Sequence, residues 1–223
     1  MKRLLSTKIL PESLQAQILA AGWKLTQYNA ISIELLPVEF APGDRLSIFT
    51  SKQAVRACLA SAPDSGLSGV SCLCVGAATA SLIRDHDGAV LECASSATEL
   101  ASRITKKYTD KSFMYYCGNR RLDIIPEKLD NLGLDWQEVI VYRTKTVAQT
   151  FAQKFDGILF FSPSGVEGFT DSNAIGGATA YCIGPTTAAA VQKHTKKYKI
   201  ATSPDLEALA ALVIKLPTQS KTT

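Results

Sequence analysis

The chain has 223 residues, 46% of them hydrophobic and 20% charged, and its formal net charge at pH 7 is +4. This composition is typical of a globular protein with one large or two small domains, and the dispersed Lys and Arg residues do not indicate a nucleic-acid binder. The N-terminus lacks the apolar run of a signal peptide, and no later run is long enough to cross a membrane.

Short apolar runs alternate with helical patterns along the chain. Strands are predicted at residues 3–7, 23–28, 46–51, 70–75, 89–93, 112–117, 157–161, 180–183 and 199–202. Helices are predicted at residues 11–22, 52–60, 97–107, 126–133 and 204–215, and also directly after residues 76, 165 and 184. The alternation indicates parallel sheets that are covered by helices on both faces. Two longer extended segments, residues 31–40 and 139–146, are predicted to connect domains.

Small hydroxyl residues and glycines stand where the predicted strands pass into helices. They are Thr50, Ser51, Gly76, Thr79, Ser95, Ser96, Ser162, Ser164, Gly184, Thr186, Thr187 and Ser203. Each hydroxyl can be a simple helix N-cap. Together, however, these turns place helix N-termini on one side of the sheets, where an open α/β sheet binds anionic ligands. Both interpretations stay open at this point, and a ligand with many carboxylates would suit the second.

The order of the elements repeats. Four segments of one part of the chain resemble four segments of the other, in the same relative order and with spacings that agree to within three residues for the last three pairs. The pairs are 9–14 with 124–129, 49–55 with 161–166, 74–80 with 182–188, and 94–100 with 201–207. The repeat indicates two similar α/β domains of about 110 residues each, which is a normal domain size.

Catalytic and metal-binding patterns are scarce. The six cysteines form no Cys-x-x-Cys pair and the chain has only two histidines, so no zinc site is predicted, and reduced core thiols in a cytosolic protein are the favoured interpretation. No histidine-based triad and no nucleotide-binding glycine motif is apparent. Arg120 and Arg121 are either ligand-binding or solvated loop residues. Tyr142 is either a core residue or a residue whose hydroxyl has a function.

Five short motifs follow one another along the chain. They are Phe-Thr-Ser-Lys-Gln-Ala-Val at 49–55, Val-Gly-x-x-Thr-Ala at 75–80, Val-Ile-Val-Tyr-Arg-Thr at 139–144, Phe-Phe-Ser-Pro-Ser-Gly-Val at 160–166 and Ile-Gly-Pro-Thr-Thr-Ala at 183–188. In order and spacing they resemble the uroporphyrinogen-III synthase family, over about residues 1–215.

The resemblance implies an α/β fold of two flavodoxin-like, doubly wound parallel-sheet domains joined by a two-stranded antiparallel linker. The first domain is then discontinuous, residues 1–33 plus 147–223, and the second comprises residues 41–137. The linker strands are residues 34–40 and 138–146. Periodicity alone does not give this pairing of segments.

The family closes linear hydroxymethylbilane into uroporphyrinogen III with inversion of ring D and loss of water, and it uses no metal or organic cofactor. The resemblance therefore implies a hydro-lyase of tetrapyrrole (haem and sirohaem) biosynthesis. It also implies a cytoplasmic, monomeric protein without nucleic-acid or membrane partners, which makes a transient contact with the preceding enzyme of the pathway.

Site residues are carried over only where this sequence matches the family's motifs. Tyr142 matches the family's active-site tyrosine and is the candidate catalytic residue. The candidate substrate-binding residues are Thr50, Ser51, Gly76, Thr79, Ser162, Ser164, Gly184, Thr186 and Thr187. The turn at Gly76 departs from its counterpart at Gly184 because it lacks a proline.

Two other functions stay open. The first is a non-catalytic two-domain binding protein for an acidic small molecule, whose architecture would look the same. The second is a signalling or scaffold protein of doubled flavodoxin-like domains. A receiver domain needs acidic residues at its strand ends, where this chain has Ser, Thr and Gly, and the second alternative is therefore disfavoured.

Overall fold

A computed structural model describes residues 1–41, 43–62 and 65–214 of the chain. The strands are β1 (Lys2–Ser6), β2 (Trp23–Gln27), β3 (Ile31–Leu35), β4 (Leu46–Phe49), β5 (Ser71–Val75), β6 (Ala89–Ala94), β7 (Phe113–Gly118), β8 (Trp136–Thr146), β9 (Gly157–Phe160), β10 (Thr179–Cys182) and β11 (Tyr198–Ile200). The helices are α1 (Glu12–Ala20), α2 (Lys52–Ser61), α3 (Ala77–Arg84), α4 (Ala97–Lys107), α5 (Ile124–Asn131), α6 (Pro163–Thr170), α7 (Pro185–Val191) and α8 (Leu206–Ile214).

The chain divides into two compact units, and each contains one sheet. The first unit comprises Met1–Ser32 and the chain from Lys145 onward, and the second comprises Ile33–Thr144. The first sheet has the strand order β11-β10-β9-β1-β2, and each of its neighbouring pairs is parallel. The second sheet has the order β3-β8-β7-β4-β5-β6, with parallel pairing from β8 through β6. The predicted α/β class with parallel sheets is therefore confirmed.

Five strands of the second sheet have the same order as the five strands of the first. The orders agree if β7 and β8 are matched with β1 and β2, and β4, β5 and β6 with β9, β10 and β11, whereas β3 is an additional edge strand without a counterpart. All four pairs of similar sequence segments then occupy equivalent places in the two sheets. The sequence repeat thus has a structural counterpart. The corresponding elements differ in chain position, because β1–α1–β2 comes first in the first unit and its counterpart β7–α5–β8 comes last in the second.

Each sheet has an apolar core on both faces. On β9, Ile158 and Phe160 belong to one buried cluster and Leu159 to another. On β4, Ile48 and Phe49 also belong to different clusters. Because successive side chains of a strand point to opposite faces, this division means that both faces of each sheet are covered, as parallel sheets require.

Two helices begin earlier than predicted, and both contain a proline in the first turn. Helix α5 begins at Ile124 rather than at Pro126, and α6 begins at Pro163, three residues before the predicted start. The first N–H groups of a helix have no partner within it, so a proline costs nothing there and can stand at more than one position. Ser162 consequently lies at the N-cap of α6.

The last described helix has a different cap from the one predicted. Asp205, not Ser203, accepts the backbone N–H of Ala208 at 2.7 Å, and the Ser203 hydroxyl donates to the same carboxylate. A charged carboxylate is a stronger acceptor than a hydroxyl, which explains why it takes the cap position. Ser203 therefore supports the cap indirectly.

Other predictions need smaller corrections. In α1, Leu14 and Ile18, one helical turn apart, are buried, whereas the apolar Leu19 is exposed. Within the extended segment at 31–40, only Ile31–Leu35 forms a strand. Residues 42, 63–64 and 215–223, which include the last residue of the helix predicted at 204–215, lie outside the described residues.

All six cysteines are free thiols, and five of them are buried. Burial raises the pKa of Cys72, Cys74 and Cys182 to about 12, so these thiols stay protonated and unreactive at neutral pH. Across the described ranges, the helices lack the length and apolarity that crossing a membrane requires.

A network of charges joins β6 to α4. The nearly buried carboxylate of Glu92 accepts hydrogen bonds from Lys107 Nζ at 2.6 Å and from Arg103 Nη1 at 2.7 Å. Arg103 also pairs with Glu99 at 2.6 Å. Bonds to Lys107 and Arg103 lower the pKa of Glu92, and bonds from Ser95 and Arg103 lower that of Glu99 to about 2. Because both values fall on folding, the carboxylates stabilise the folded state above about pH 4.5, and this contribution is lost as the pH falls.

We expect Glu92→Gln to lower the free energy of unfolding by about 2 kcal/mol at pH 7, since it removes charge-assisted hydrogen bonds from a nearly buried group. The difference should shrink below about pH 4.5, because the Glu92 carboxylate of the unfolded chain then takes up a proton more readily than that of the folded chain, which favours unfolding of the wild type but not of the Gln variant. Urea unfolding at pH 7 and pH 3 measures both values. The exposed Glu39→Gln is the matched control, and an equal loss in the two variants would contradict the assignment.

Candidate functional site

The predicted substrate-binding residues form two groups, each at the carboxyl edge of a sheet. The first rim follows β9 and β10 and consists of Ser162, Ser164, Gly184, Thr186 and Thr187. The second rim follows β4 and β5 and consists of Thr50, Ser51, Gly76 and Thr79. In each case the two strands are parallel neighbours, so the turns after them lie side by side at one edge. The structure thus brings together the members of each rim.

The hydroxyls of the first rim have different environments. Ser162 Oγ accepts the N–H of Gly165 at 3.0 Å and so caps α6. Thr187 is 1% exposed and belongs to the core, and Ser164 is half-buried. Thr186, by contrast, is exposed in the first turn of α7. Of these residues, Thr186 is therefore the one whose side chain is presented to a ligand in solution.

Gly184 precedes α7 and has space beside its backbone. Its φ of −170° is extended backbone that any residue can adopt, so the glycine is not required by conformation. A Cβ built on Gly184 would have no atom within 4 Å. Gly184 is itself buried, but this space beside it leaves room for part of a ligand next to the exposed residues of the Gly-Pro-Thr-Thr turn.

The second rim is more occupied by internal contacts. Ser51 Oγ accepts the N–H of Gln53 at 3.1 Å and caps α2, as predicted. Gly76 has a φ of 88°, which favours glycine, and its N–H donates to Ala94 O at 2.8 Å. Thr79 is 5% exposed within α3. The Gly76 turn therefore differs in backbone conformation from its counterpart in the first rim, consistent with its missing proline.

Tyr142 lies on β8, half-buried, and its neighbourhood includes another tyrosine. Tyr115, on the adjacent strand β7, has its hydroxyl 3.1 Å from Thr50 Oγ1. Burial raises the pKa of Tyr115 to about 12; the hydrogen bond to Thr50 opposes this rise, and Tyr142 adds to it. The structure thus joins Thr50 to Tyr115 by a hydrogen bond, whereas Tyr142 packs against the cluster on the other face of the second sheet.

Sequence reasoning missed Tyr115 and also Gly118, which lies opposite Tyr142. Strand alternation assigns Tyr115 to the core, and its ring is indeed 2% exposed, but nothing local shows that its hydroxyl reaches the end of another strand. Turn composition predicts only a loop for the Gly-Asn-Arg-Arg segment, residues 118–121, whereas in the structure Gly118 ends β7. Only the register of β7 with β8 shows that Gly118 lies opposite Tyr142.

Arg121 is used within the second unit. Its guanidinium donates to Glu138, with Nη2 to Oε2 at 3.2 Å, and to Asp123, while Cys117 Sγ donates to Glu138 at 3.1 Å. The hydrogen bonds to Glu138 raise the pKa of Arg121, and the same partner lowers that of Glu138. Two carboxylates neutralise this arginine, so its interpretation as a source of positive charge for a ligand is not favoured. Arg120 also has an interaction within the chain.

The described part of the chain contains no cluster of three His, Cys, Asp or Glu side chains that suits a metal ion. The groups present at the two rims and at Tyr142 are hydroxyls, backbone amides and a half-buried phenol, all of which form hydrogen bonds. Such groups can bind carboxylates and orient a flexible substrate.

Comparison with known proteins gives a consistent result. In solved structures, the fold resembles uroporphyrinogen-III synthetase from Helicobacter pylori, with a TM-score of 0.73 and 20% identity over 96% of this chain and 99% of that one. A mutant uroporphyrinogen III synthase from Thermus thermophilus gives 0.71 and 15% over 96% of both chains. No curated protein sequence matches the chain. The family model for uroporphyrinogen-III synthase HemD matches residues 12–211, which extend through both units. The chain therefore belongs to the uroporphyrinogen-III synthase family.

Proposed function

We propose that this chain is a hydro-lyase that closes linear hydroxymethylbilane into uroporphyrinogen III, with inversion of ring D and release of water. The observation that carries the proposal is the family match over residues 12–211. The two rims of hydroxyl and glycine residues support it, because the substrate has eight carboxylates and needs many donors rather than one catalytic group. No observation favours the non-catalytic binding protein.

At the level of the fold, each unit is proposed to be a flavodoxin-like domain. The strands of the first unit, numbered along the chain, lie in the flavodoxin-like order 2-1-3-4-5. Apart from the edge strand β3, the second unit has this order when its strand–helix–strand element β7–α5–β8 is counted first. The proposed domains are residues 1–33 plus 147–223, and residues 41–137. The proposed linker segment 138–146 overlaps β8, whose first part pairs with β7 and so completes the second sheet.

Residues 34–40 and 138–146 are proposed to form a two-stranded antiparallel linker. Val147 N donates to Ala30 O, and Leu36 N donates to Val141 O, each at 2.9 Å. From the first bond to the second, the residue number rises by six on one segment, from Ala30 to Leu36, and falls by six on the other, from Val147 to Val141. Opposite numbering of hydrogen-bonded partners is the mark of antiparallel pairing and supports this linker.

The reaction requires control of geometry more than strong chemistry. Departure of the substrate's hydroxyl as water leaves a stabilised azafulvene cation, which is then attacked by the substituted carbon of ring D to give a spiro intermediate. The original bond from that carbon to its bridge then breaks, the freed bridge carbon bonds to the unsubstituted α-carbon of ring D, and ring D loses a proton, so that the net release is one water. Closure in solution without inversion gives the type I isomer. The protein's task is therefore to hold the chain so that attack occurs at the substituted carbon, which is catalysis by orientation.

Tyr142 is proposed to donate a hydrogen bond to the departing hydroxyl. The substrate carboxylates are proposed to bind to the two rims, and Thr186 is the best-supported contact because its side chain is exposed beside the open space at Gly184. The hydroxyls of Ser51 and Ser162 cap helices, and neighbouring backbone N–H groups are proposed to donate hydrogen bonds to the substrate carboxylates there. The remaining proposed contacts are Thr50, Gly76, Thr79, Ser164 and Thr187.

The proposal includes a cytoplasmic, monomeric protein that needs no metal or organic cofactor. The six free thiols support a reducing compartment. The proposed partner is the small-molecule substrate, together with a transient contact with the enzyme that supplies it. Nucleic acid and membranes are not proposed as partners.

The direct test supplies hydroxymethylbilane to the protein and separates the isomers of the product. We expect type III in large excess over the type I formed in buffer alone. A heat-denatured sample is the control for spontaneous closure. Production of type I alone by the folded protein would remove the proposed function.

Tyr142→Phe is expected to lower kcat at least about tenfold while KM changes less than about twofold, because the loss is confined to the departing hydroxyl. Circular dichroism should show an unchanged fold. Tyr198→Phe, which removes another half-buried tyrosine hydroxyl from the first unit, is the control and should retain its rate. An unchanged rate in Tyr142→Phe would exclude its hydroxyl from the reaction.

Thr186→Asp is expected to raise KM about tenfold or more, because a carboxylate in the turn repels the carboxylates of the substrate. Thr186→Asn has nearly the same shape without the charge and should change KM much less. Neither should weaken the fold, since both residues are accepted near a helix N-terminus. Thr109→Asp, before β7 at the opposite edge of its sheet, controls for added charge. Equal KM values for the Asp and Asn variants would argue against a carboxylate at this turn.

A further inference from the structure

Gly118 and Asn119, at the end of β7, both contact the segment that carries Tyr142. We infer that they are positioning residues for Tyr142 and determine where its hydroxyl lies at the carboxyl edge of the second sheet. The inference rests on the proposed role of Tyr142 in ring closure. It goes beyond that role because it assigns a function to two residues outside both rims.

Gly118 provides space for the tyrosine ring. A Cβ built on Gly118 would lie 2.3 Å from Cζ, 2.4 Å from Cε2 and 2.8 Å from the hydroxyl oxygen of Tyr142. Real side-chain atoms do not approach so closely, and the ring therefore lies directly against the Gly118 backbone. Gly118 is not among the glycines with positive φ, so it is required for the close approach rather than for its own conformation.

A register shift between β7 and β8 directs Tyr142 towards Gly118. Cys117 pairs with Ile140 and Gly118 pairs with Tyr142, so Val141 is an extra residue on β8. Val141 and Tyr142 both pack against the same apolar cluster, although consecutive strand residues normally point to opposite faces. An extra residue of this kind re-aims a side chain, which is a known use of bulges beside functional sites.

Asn119 holds the backbone of β8 where β7 ends. Its N–H donates to Tyr142 O at 3.2 Å, and its side-chain Oδ1 accepts the N–H of Thr144 at 2.8 Å. One residue thus binds β8 at two points, on either side of Arg143. The segment next to the tyrosine is fixed by these bonds although the regular ladder with β7 stops at Gly118.

The contact between Gly118 and Tyr142 can be tested without substrate, by a double-mutant cycle on the denaturation midpoint. We expect Gly118→Ala to lower the midpoint in the wild-type background and to lower it by less than half as much in a Tyr142→Ala background. The matched control is Gly157→Ala, whose Cβ would lie 2.9 Å from Leu4 and from Tyr181 in the core of the first unit. Its midpoint shift should be the same in both backgrounds. Equal shifts for Gly118→Ala in the two backgrounds would overturn the contact.

Kinetics separate positioning from general stability. Gly118→Ala should lower kcat about as much as Tyr142→Phe, with KM within about twofold, and should add little to the loss when the two are combined. Gly157→Ala should leave kcat of the folded fraction unchanged. Multiplicative losses in the combined variant would show that Gly118 acts independently of the tyrosine hydroxyl, and the inference would fail.

Asn119 supplies a second test if Gly118→Ala does not fold, because its side chain is exposed. Asn119→Ala should lower kcat about tenfold, since a small displacement of a reacting group is costly. Asn119→Asp retains an acceptor for the Thr144 N–H and should recover most of the rate. Wild-type rates in Asn119→Ala, or an Asp variant no better than the Ala variant, would overturn the role of Asn119.

The outcomes also distinguish this inference from the proposed function. Absence of type III product from the wild-type protein removes the function, whereas the midpoint cycle still measures the contact. A full rate in Tyr142→Phe removes the hydroxyl from the reaction, and the kinetic role of Gly118 and Asn119 fails with it. Loss of rate in Tyr142→Phe without any coupling to Gly118 leaves the function intact and refutes the positioning.

Discussion

Parallel pairing of neighbouring strands is the constraint on which both units depend. A parallel pair cannot be closed by a tight turn, so the chain crosses back through a helix, and each such helix begins just beyond the end of a strand. The turns rich in Ser, Thr and Gly consequently collect at one edge of each sheet. The candidate site follows from this topology, because residues distant in sequence, such as Ser51 and Thr79, meet only where parallel strands end together.

The same turns that cap helices are proposed to bind the ligand, and the geometry distinguishes the residues suited to each use. The hydroxyls of Ser51 and Ser162 satisfy helix N–H groups, and Thr187 is packed in the core. Thr186 differs from them in being exposed beside open space at Gly184. A capped helix still presents neighbouring amides, so a protein can bind a polycarboxylate with few arginines, and Arg121 is in fact occupied by its own carboxylate partners.

Features encoded locally were predictable from the sequence, and those that depend on strand alignment were not. Ser51 as a cap and α4 at Ala97–Lys107 follow from turn chemistry within a few residues. The contacts of Thr50 with Tyr115, and of Gly118 with Tyr142, join strands whose register no periodicity defines. The prediction of a discontinuous first domain rests on the family resemblance. Apolar patterns predict where strands occur in the chain but not which strands pair with one another.

The central position of β1 in the first sheet has a consequence for folding during synthesis. Strand β1 lies between β2 and β9, and Leu4 pairs with Gly157, which follows the whole second unit. The ribosome therefore completes the second unit while one edge of β1 is still unpaired, for roughly ten seconds or more at ordinary rates of translation. The second unit can fold on emergence, whereas the first depends on segments from both ends of the chain. Aggregation during synthesis is thus expected to begin at the edge of β1 that stays unpaired until β9 has been made.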